Sequence, residues 1–169
     1  MNKKKLSQLK KLYQEKFNYY CEKFLENHNS QAYLRKQTLL VDQLLIKVWQ
    51  SLPISKNIVL VAVGGYGRKE LFPFSDVDIL IVFEKKIASS DQNAISQFVT
   101  NCWDLGFKIG HSVRNIKQTK QEFNADITTA TNLIESRFLN GSSLVFNKMN
   151  QAINTSLSIK KFYKFIIHY

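Results

Sequence analysis

Two aspartates, Asp76 and Asp78, stand at the head of the apolar run Ile79 to Phe83. In an extended chain a spacing of two places both carboxylates on one face and turns Val77 the other way. Two negative charges at the mouth of a buried strand push a pKa upward unless something positive neutralises them. A divalent cation does this directly, and Mg²⁺ commonly takes one or two carboxylates and completes its shell with substrate phosphates. Asp76 and Asp78 are therefore the candidate metal ligands and catalytic residues. A place for phosphates precedes them. Gly64 and Gly65 close a second apolar run, Ile58 to Val63. Without Cβ atoms they can take positive φ and let backbone N–H groups approach an anion. Gly67, Arg68 and Lys69 then lead into a helix N-terminal turn. Gly64 and Gly65 are candidate triphosphate ligands, and Arg68 and Lys69 candidate neutralisers of phosphate charge. Ser75, beside Asp76, either caps the strand entry or touches a phosphate.

Three blocks in order extend this pattern: VAVGGYGRKELFPFSDVDIL, WDLGFKIGHSVRNIKQ and DITTATNLIESRFLNG, all between Ile58 and Gly141. Together they resemble the nucleotidyltransferase superfamily of DNA polymerase β type, and within it the bacterial PII uridylyltransferase/uridylyl-removing family. The resemblance implies an α/β (α+β) fold with a small mixed sheet, an N-terminal helical lead-in and C-terminal helices. It also implies Mg²⁺ as cofactor, UTP as donor, and a tyrosine hydroxyl of the small trimeric PII signal protein as acceptor of UMP. Such chemistry needs a nucleotide positioned for in-line attack at the α-phosphorus, with metal ions stabilising the charge that develops.

The superfamily usually carries a third carboxylate on the strand adjoining the first two. Here the matching stretch, Lys108 to Arg114, contains no acid. The wording GHSVR resembles the uridylyltransferase pattern, so the general base stays unassigned. His111 is one substitute, but by parity it shares a face with Ile109 and Val113, where a hydrogen-bonded core histidine is the alternative. Asp126 reads as a helix cap, and Glu135 reaches the site only if its helix packs across the strand ends. Arg137 is a candidate for the nucleotide phosphate or a partner to Glu135. A rival reading is a nucleotide- or protein-binding fragment that keeps the fold without catalysis; an RNA or antibiotic acceptor is a third.

The elements that must position these residues follow from periodicity. Leu6, Leu9, Tyr13, Phe17, Tyr20 and Phe24 form one helical stripe over residues 3–27. Ser30 is a candidate N-cap for a second helix that Pro53 stops, with Leu34, Val41, Leu44, Leu45, Val48 and Trp49 inward. After the Asp-x-Asp strand, Ser89-Ser90-Asp91 caps a helix to Leu105, closed by Gly106. Phe107 to Val113 alternates as a third strand, a helix covers Lys117 to Phe123, and another runs from Ile127 to Asn140, closed by Gly141. The units read as an N-terminal helical segment at 1–53, a nucleotidyltransferase core at 54–141, and a C-terminal helical segment at 142–169 that starts a truncated helical region. Its apolar end, with Phe162, Phe165, Ile166 and Ile167, suggests self-association through the terminal helix. With no cover for that helix and no third acid, the chain alone is expected to bind nucleotide yet transfer poorly. The resembling enzymes are several times longer and carry a His-Asp hydrolase domain and two ligand-sensing domains. No His-Asp dipeptide occurs here, so uridylyl removal and glutamine sensing cannot be read into these residues.

At 169 residues the chain can hold one ordinary domain with a real core. Its net charge of +11 invites a nucleic-acid reading. The lysines crowd the two ends, however (Lys3, Lys4, Lys5, Lys10, Lys11 and Lys16; Lys160, Lys161 and Lys164), and the middle is nearly balanced, which argues against it. No apolar run is long enough to span a bilayer, and the basic start has no apolar stretch behind it, so neither an anchor nor a signal peptide is expected. Cys21 and Cys102 lack C-x-x-C spacing, which fits a reduced cytoplasmic setting.

Overall fold

The computed structural model describes residues 2–156. Its element order is α1 (Lys3–Asn27), α2 (Ser30–Gln50), β1 (Ile58–Ala62), α3 (Gly64–Gly67), β2 (Val77–Phe83), α4 (Ser89–Leu105), β3 (Ile109–Asn115), α5 (Ile116–Ala125), α6 (Ile127–Ile134), β4 (Arg137–Gly141) and α7 (Ser143–Asn154). The sheet order is β3-β2-β1-β4. β1 runs antiparallel to both β2 and β4, whereas β2 and β3 are parallel and joined by the α4 crossover. This is the small mixed sheet expected from the sequence.

β1 and the apolar part of β2 are buried on both sides, so each contributes to two cores. Ile58, Leu60, Ala62, Ile79, Ile81 and Phe83 face one core with side chains of α1, α2 and α4. Val59, Val61, Val63, Leu80 and Val82 face the other, with Phe123 of α5, Leu133 of α6 and Met149 of α7. The α1 stripe is used as packing: Leu6 and Leu9 are buried, and Tyr13 and Tyr20 lie against the core.

The caps differ in detail from the sequence reading. Asn29, not Ser30, caps α2 by accepting from Ala32 N (2.9 Å). α4 has no side-chain cap; Asp91 instead points inward and accepts from Ser55 N and Ser55 Oγ, each at 2.8 Å. That bond pins the approach to β1 onto α4. Gly106 ends α4 in the left-handed conformation (φ 97°), as anticipated. Asp126 does cap α6, through Thr129 N.

The largest correction concerns Ile127 to Asn140, which is a helix only to Ile134. Residues Arg137–Gly141 are a strand on the far edge of β1. β1 is buried on both faces, so its second row of backbone N–H and C=O groups needs a partner, and that need overrides local helical periodicity. Gly141 is there to pass β1: a Cβ on it would stand 2.2 Å from Ile58 O. The apolar terminal residues Phe162, Phe165, Ile166 and Ile167 lie outside the described residues.

Candidate active site

The glycine stretch does not lead into a later helix; it is itself the single turn α3, with Arg68 at its C-cap. Four residues, two of them at its start without side chains, cannot hold a helical turn by propensity. Tertiary contacts impose it. The turn closes through Gly67 N to Val63 O (3.0 Å), Arg68 N to Gly64 O (3.1 Å) and Glu70 N to Gly65 O (2.9 Å). The N–H groups of Gly64, Gly65 and Tyr66 take no part in these bonds.

Val63 N donates to Asp78 O (3.1 Å), which brings the start of the turn against the head of β2. Gly64 has φ 57°, and a Cβ there would meet Asn132 Oδ1 at 3.1 Å and Asp78 Oδ2 at 3.9 Å. On the other side of Asp78 the parallel register pairs it with Gly110. A Cβ on Gly110 would stand 2.2 Å from Asp78 Oδ1. Asp78 thus lies across a bare stretch of β3 with the bare Gly64 beside it. Its carboxyl is held above the ordinary range, first by burial and second by the nearby Asp76 carboxylate. Asp76 itself is exposed, one residue before the strand.

The remaining sequence candidates are placed as follows. Gly65 has no positive φ, and a Cβ there would meet Arg68 and Glu70 only at ordinary contact distance, 3.7 Å. Arg68 is exposed and paired with Glu70 (2.8 Å) and with Glu135. Lys69 is exposed, in the left-handed region (φ 65°), and without an ion pair among the described residues. Ser75 is exposed in a turn whose N–H donates to Phe72 O (3.2 Å).

Arg137, expected at a nucleotide phosphate or on Glu135, is engaged elsewhere in this structure. Its guanidinium is bidentate on Asp42, at 2.8 and 3.1 Å, and also donates to Gly67 O and Tyr66 O, each at 3.2 Å. Tyr66 Oη donates to the same Asp42 at 2.5 Å, and the guanidinium stacks 5.3 Å from the Tyr66 ring. These donors are committed to a carboxylate and to the C-terminal carbonyls of α3, so Arg137 braces the turn from beneath and pairs with Asp42, not Glu135. Gly67 completes the brace, since a Cβ on it would stand 2.1 Å from Glu135 O.

His111 is exposed on the edge strand beside Trp103, ring centroids 6.3 Å apart, and is not the core residue that parity suggested. Among the described residues no group of three or more His, Cys, Asp or Glu side chains gathers to hold a metal. The acidic donors at the site are Asp76 and Asp78. Two hard carboxylates, the half-buried Asp78 lying over Gly110 and the exposed Asp76, fit an Mg²⁺ that draws its other ligands from phosphate and water. Asn132, Gly110 and Asp42, and the packing role of Gly67, do not emerge from sequence. Gly110 could have been found by pairing the Asp-x-Asp strand with its neighbour; Asp42 and Asn132 carry no local signal.

A nucleotidyltransferase domain model matches residues 43–129, which include α3 and both aspartates. The chain belongs to this nucleotidyltransferase domain family. It is 46% identical over 114 residues to the bifunctional uridylyltransferase/uridylyl-removing enzyme of Haemophilus influenzae (strain PittEE), covering 66% of this chain and 13% of that protein. It is 37% identical over 147 residues to the protein of the same name from Nitrosospira multiformis, covering 83% and 17%. The chain thus spans about a sixth or less of the length of these relatives. A solved structure described as a toxin-antitoxin with AMP-PNP aligns with a TM-score of 0.46 at 14% identity, over 75% of this chain and 95% of that one, too weak a likeness to carry an argument. No helix among the described residues is long and apolar enough to cross a membrane.

Proposed function

We propose that this chain is a uridylyl-transferring nucleotidyltransferase domain that moves UMP from UTP to a tyrosine of a PII-type signal protein. The observation that carries the reading is Asp78, whose carboxylate lies across Gly110 and next to Gly64, with Asp76 two residues away. An acid held half-buried with a raised pKa and no countering cation among the described residues is unfavourable unless a ligand supplies the charge. Asp76 and Asp78 would hold Mg²⁺, which when bound would act as Lewis acid and template at the phosphates. Gly64 and Gly65 let the backbone N–H groups of the turn reach the triphosphate, and Arg137 and Asp42 fix the shape of that turn from below. Arg68 and Lys69 stand at its exposed end, where Lys69 can add positive charge toward the phosphates. Ser75 sits at the entrance to Asp76.

The identity of nucleotide and acceptor rests on the uridylyltransferase relatives. The chain has no acid on β3, so the reading assigns no general base to that strand. The test has two arms: calorimetric binding of UTP with and without Mg²⁺, and transfer of radiolabelled UMP to purified PII. Magnesium-dependent binding together with labelled PII supports the whole reading. Binding without transfer would reduce the chain to a nucleotide-binding module, and no binding would remove the site.

A further inference from the structure

On the face of the sheet that carries Asp78, a notch of about 100 Å³ opens between β3 and α6. Its floor is Val63 and Leu80, and its polar walls are Ser112 and Arg114 on one side and Thr129 and Asn132 on the other. The parallel register explains the alignment. Asp78 pairs with Gly110, Leu80 with Ser112 and Val82 with Arg114, so the β3 side chains at 112 and 114 rise from the face on which Asp78 lies. By its share of liquid volume the notch has room for about three waters. That suits a group of phosphate size and is well below the roughly 300 Å³ of a pocket enclosing a whole ligand.

Arg114 is only partly exposed, and its guanidinium makes no hydrogen bond or ion pair among the described residues. Arg68 and Arg137, by contrast, are both spent on carboxylates. A guanidinium carries five donors, and removing them from water without acceptors is costly. The Asn132 side chain also has no hydrogen-bond partner among the described residues, and its Oδ1 lies 3.1 Å from the place a Cβ on Gly64 would take. The notch is therefore continuous with the glycine turn: Gly64, Asn132, and then the Ser112 and Arg114 wall. It offers donors with no protein acceptor, within one side chain of the proposed phosphate turn.

We propose that this notch is an anion subsite, in which Arg114, supported by Ser112 and Asn132, binds phosphoryl oxygens of the nucleoside triphosphate. The proposal rests on the reading of the Asp76/Asp78 centre as a nucleotide site. The planar fork of Arg114 suits two phosphoryl oxygens at once, a geometry lysine cannot reproduce. The subsite places a fixed positive charge on a strand that lacks the third acid of the superfamily.

The experiment is titration calorimetry of the whole chain with Mg·UTP, inorganic tripolyphosphate with Mg²⁺, and uridine. Arg114→Gln should weaken Mg·UTP and tripolyphosphate at least tenfold, leave uridine unchanged, and melt within a few degrees of wild type. Arg114→Lys should weaken Mg·UTP by less. Ser112→Asp, which leaves Arg114 in place and puts a negative charge in the notch, should weaken both anions tenfold, and it carries the test if Arg114→Gln does not fold. Unchanged affinity for both anions in Arg114→Gln or in Ser112→Asp overturns the subsite. Wild type that loses Mg·UTP on Asp78→Asn but not on Arg114→Gln overturns the subsite alone. Wild type that binds no triphosphate overturns the nucleotide site and the subsite with it.

Discussion

Replacing Gly110 with alanine separates the site from the fold more cleanly than any change to the aspartates. The added Cβ would stand 2.2 Å from Asp78 Oδ1 and 3.4 Å from Asp78 Cγ, and the next nearest atom, Asp78 Cα, is at the ordinary distance of 4.0 Å. Ordinary contact begins near 3.4 Å, so the carboxylate oxygen must retreat by about 1.2 Å. Asp78 is only half-buried and can swing aside, so the fold is spared. Losing a glycine from a strand in fact adds roughly 0.5–1 kcal/mol by lowering the entropy of the unfolded chain. Catalysis does not tolerate such a shift, since a misplacement of about 1 Å can cost on the order of a hundredfold in rate. Gly110→Ala should therefore melt at or slightly above the wild-type Tm while losing most magnesium-dependent UTP binding and about a hundredfold in transfer to PII. Thermal melts with and without Mg·UTP, followed by the transfer assay, check both halves. A variant that is stable and fully active would refute the placement of Asp78 over Gly110 as a functional geometry. One that fails to fold would refute the claim that only the carboxylate has to move.

Asp78→Asn tests the electrostatics. The folded-state pKa of Asp78 is raised above its unfolded value, so its proton-linked stability is complete below about pH 3.8 and is lost as pH rises through the folded value. At neutral pH the variant should melt no lower than wild type without ligand, yet bind Mg·UTP about tenfold more weakly, a loss of about 1.4 kcal/mol. A lower unliganded Tm would mean that Asp78 has a structural role. Gly67→Ala should behave in the opposite way to Gly110→Ala. Its Cβ would meet the Glu135 backbone oxygen at 2.1 Å, so overpacking should cost about 1–3 kcal/mol in urea denaturation. Arg137→Met leaves the Asp42 carboxylate, which is 15% exposed, without its cation and with only Tyr66 Oη as donor, and should destabilise by about 3 kcal/mol. Arg137→Met combined with Asp42→Leu should recover part of that loss, and no recovery would deny the pairing. Gly65→Val, at a position with no positive φ, should fold normally and lose triphosphate binding, read by the same melts.

The centre of the site was legible because its determinants are local. A two-residue spacing fixes which side Asp78 faces, and a double glycine after a buried run announces a turn where backbone must come close. The misreadings arose where long-range pairing decides. Arg137 to Gly141 has helical neighbours and ends on a glycine that imitates a helix cap, yet β1 needed a second partner and took it. Once that stretch became a strand, Arg137 moved from a supposed phosphate contact to a clasp on Asp42, a residue 95 positions earlier that no local pattern connects to it. His111 was misread for a related reason: parity assigned its face correctly, but β3 is an edge strand and leaves that position open. Asn132 is the hardest case, because only the packing of α6 over the turn brings it to Gly64.

The central claim is that Asp76 and Asp78 bind a nucleotide through a divalent cation against the glycine turn. Titration calorimetry of wild type and the Asp76→Asn/Asp78→Asn double variant with UTP, first in Mg²⁺ and then in EDTA, tests it directly. The account predicts binding by wild type in Mg²⁺ only, and none by the folded double variant under either condition. Equal UTP binding by wild type in EDTA, or by the double variant in Mg²⁺, would contradict it.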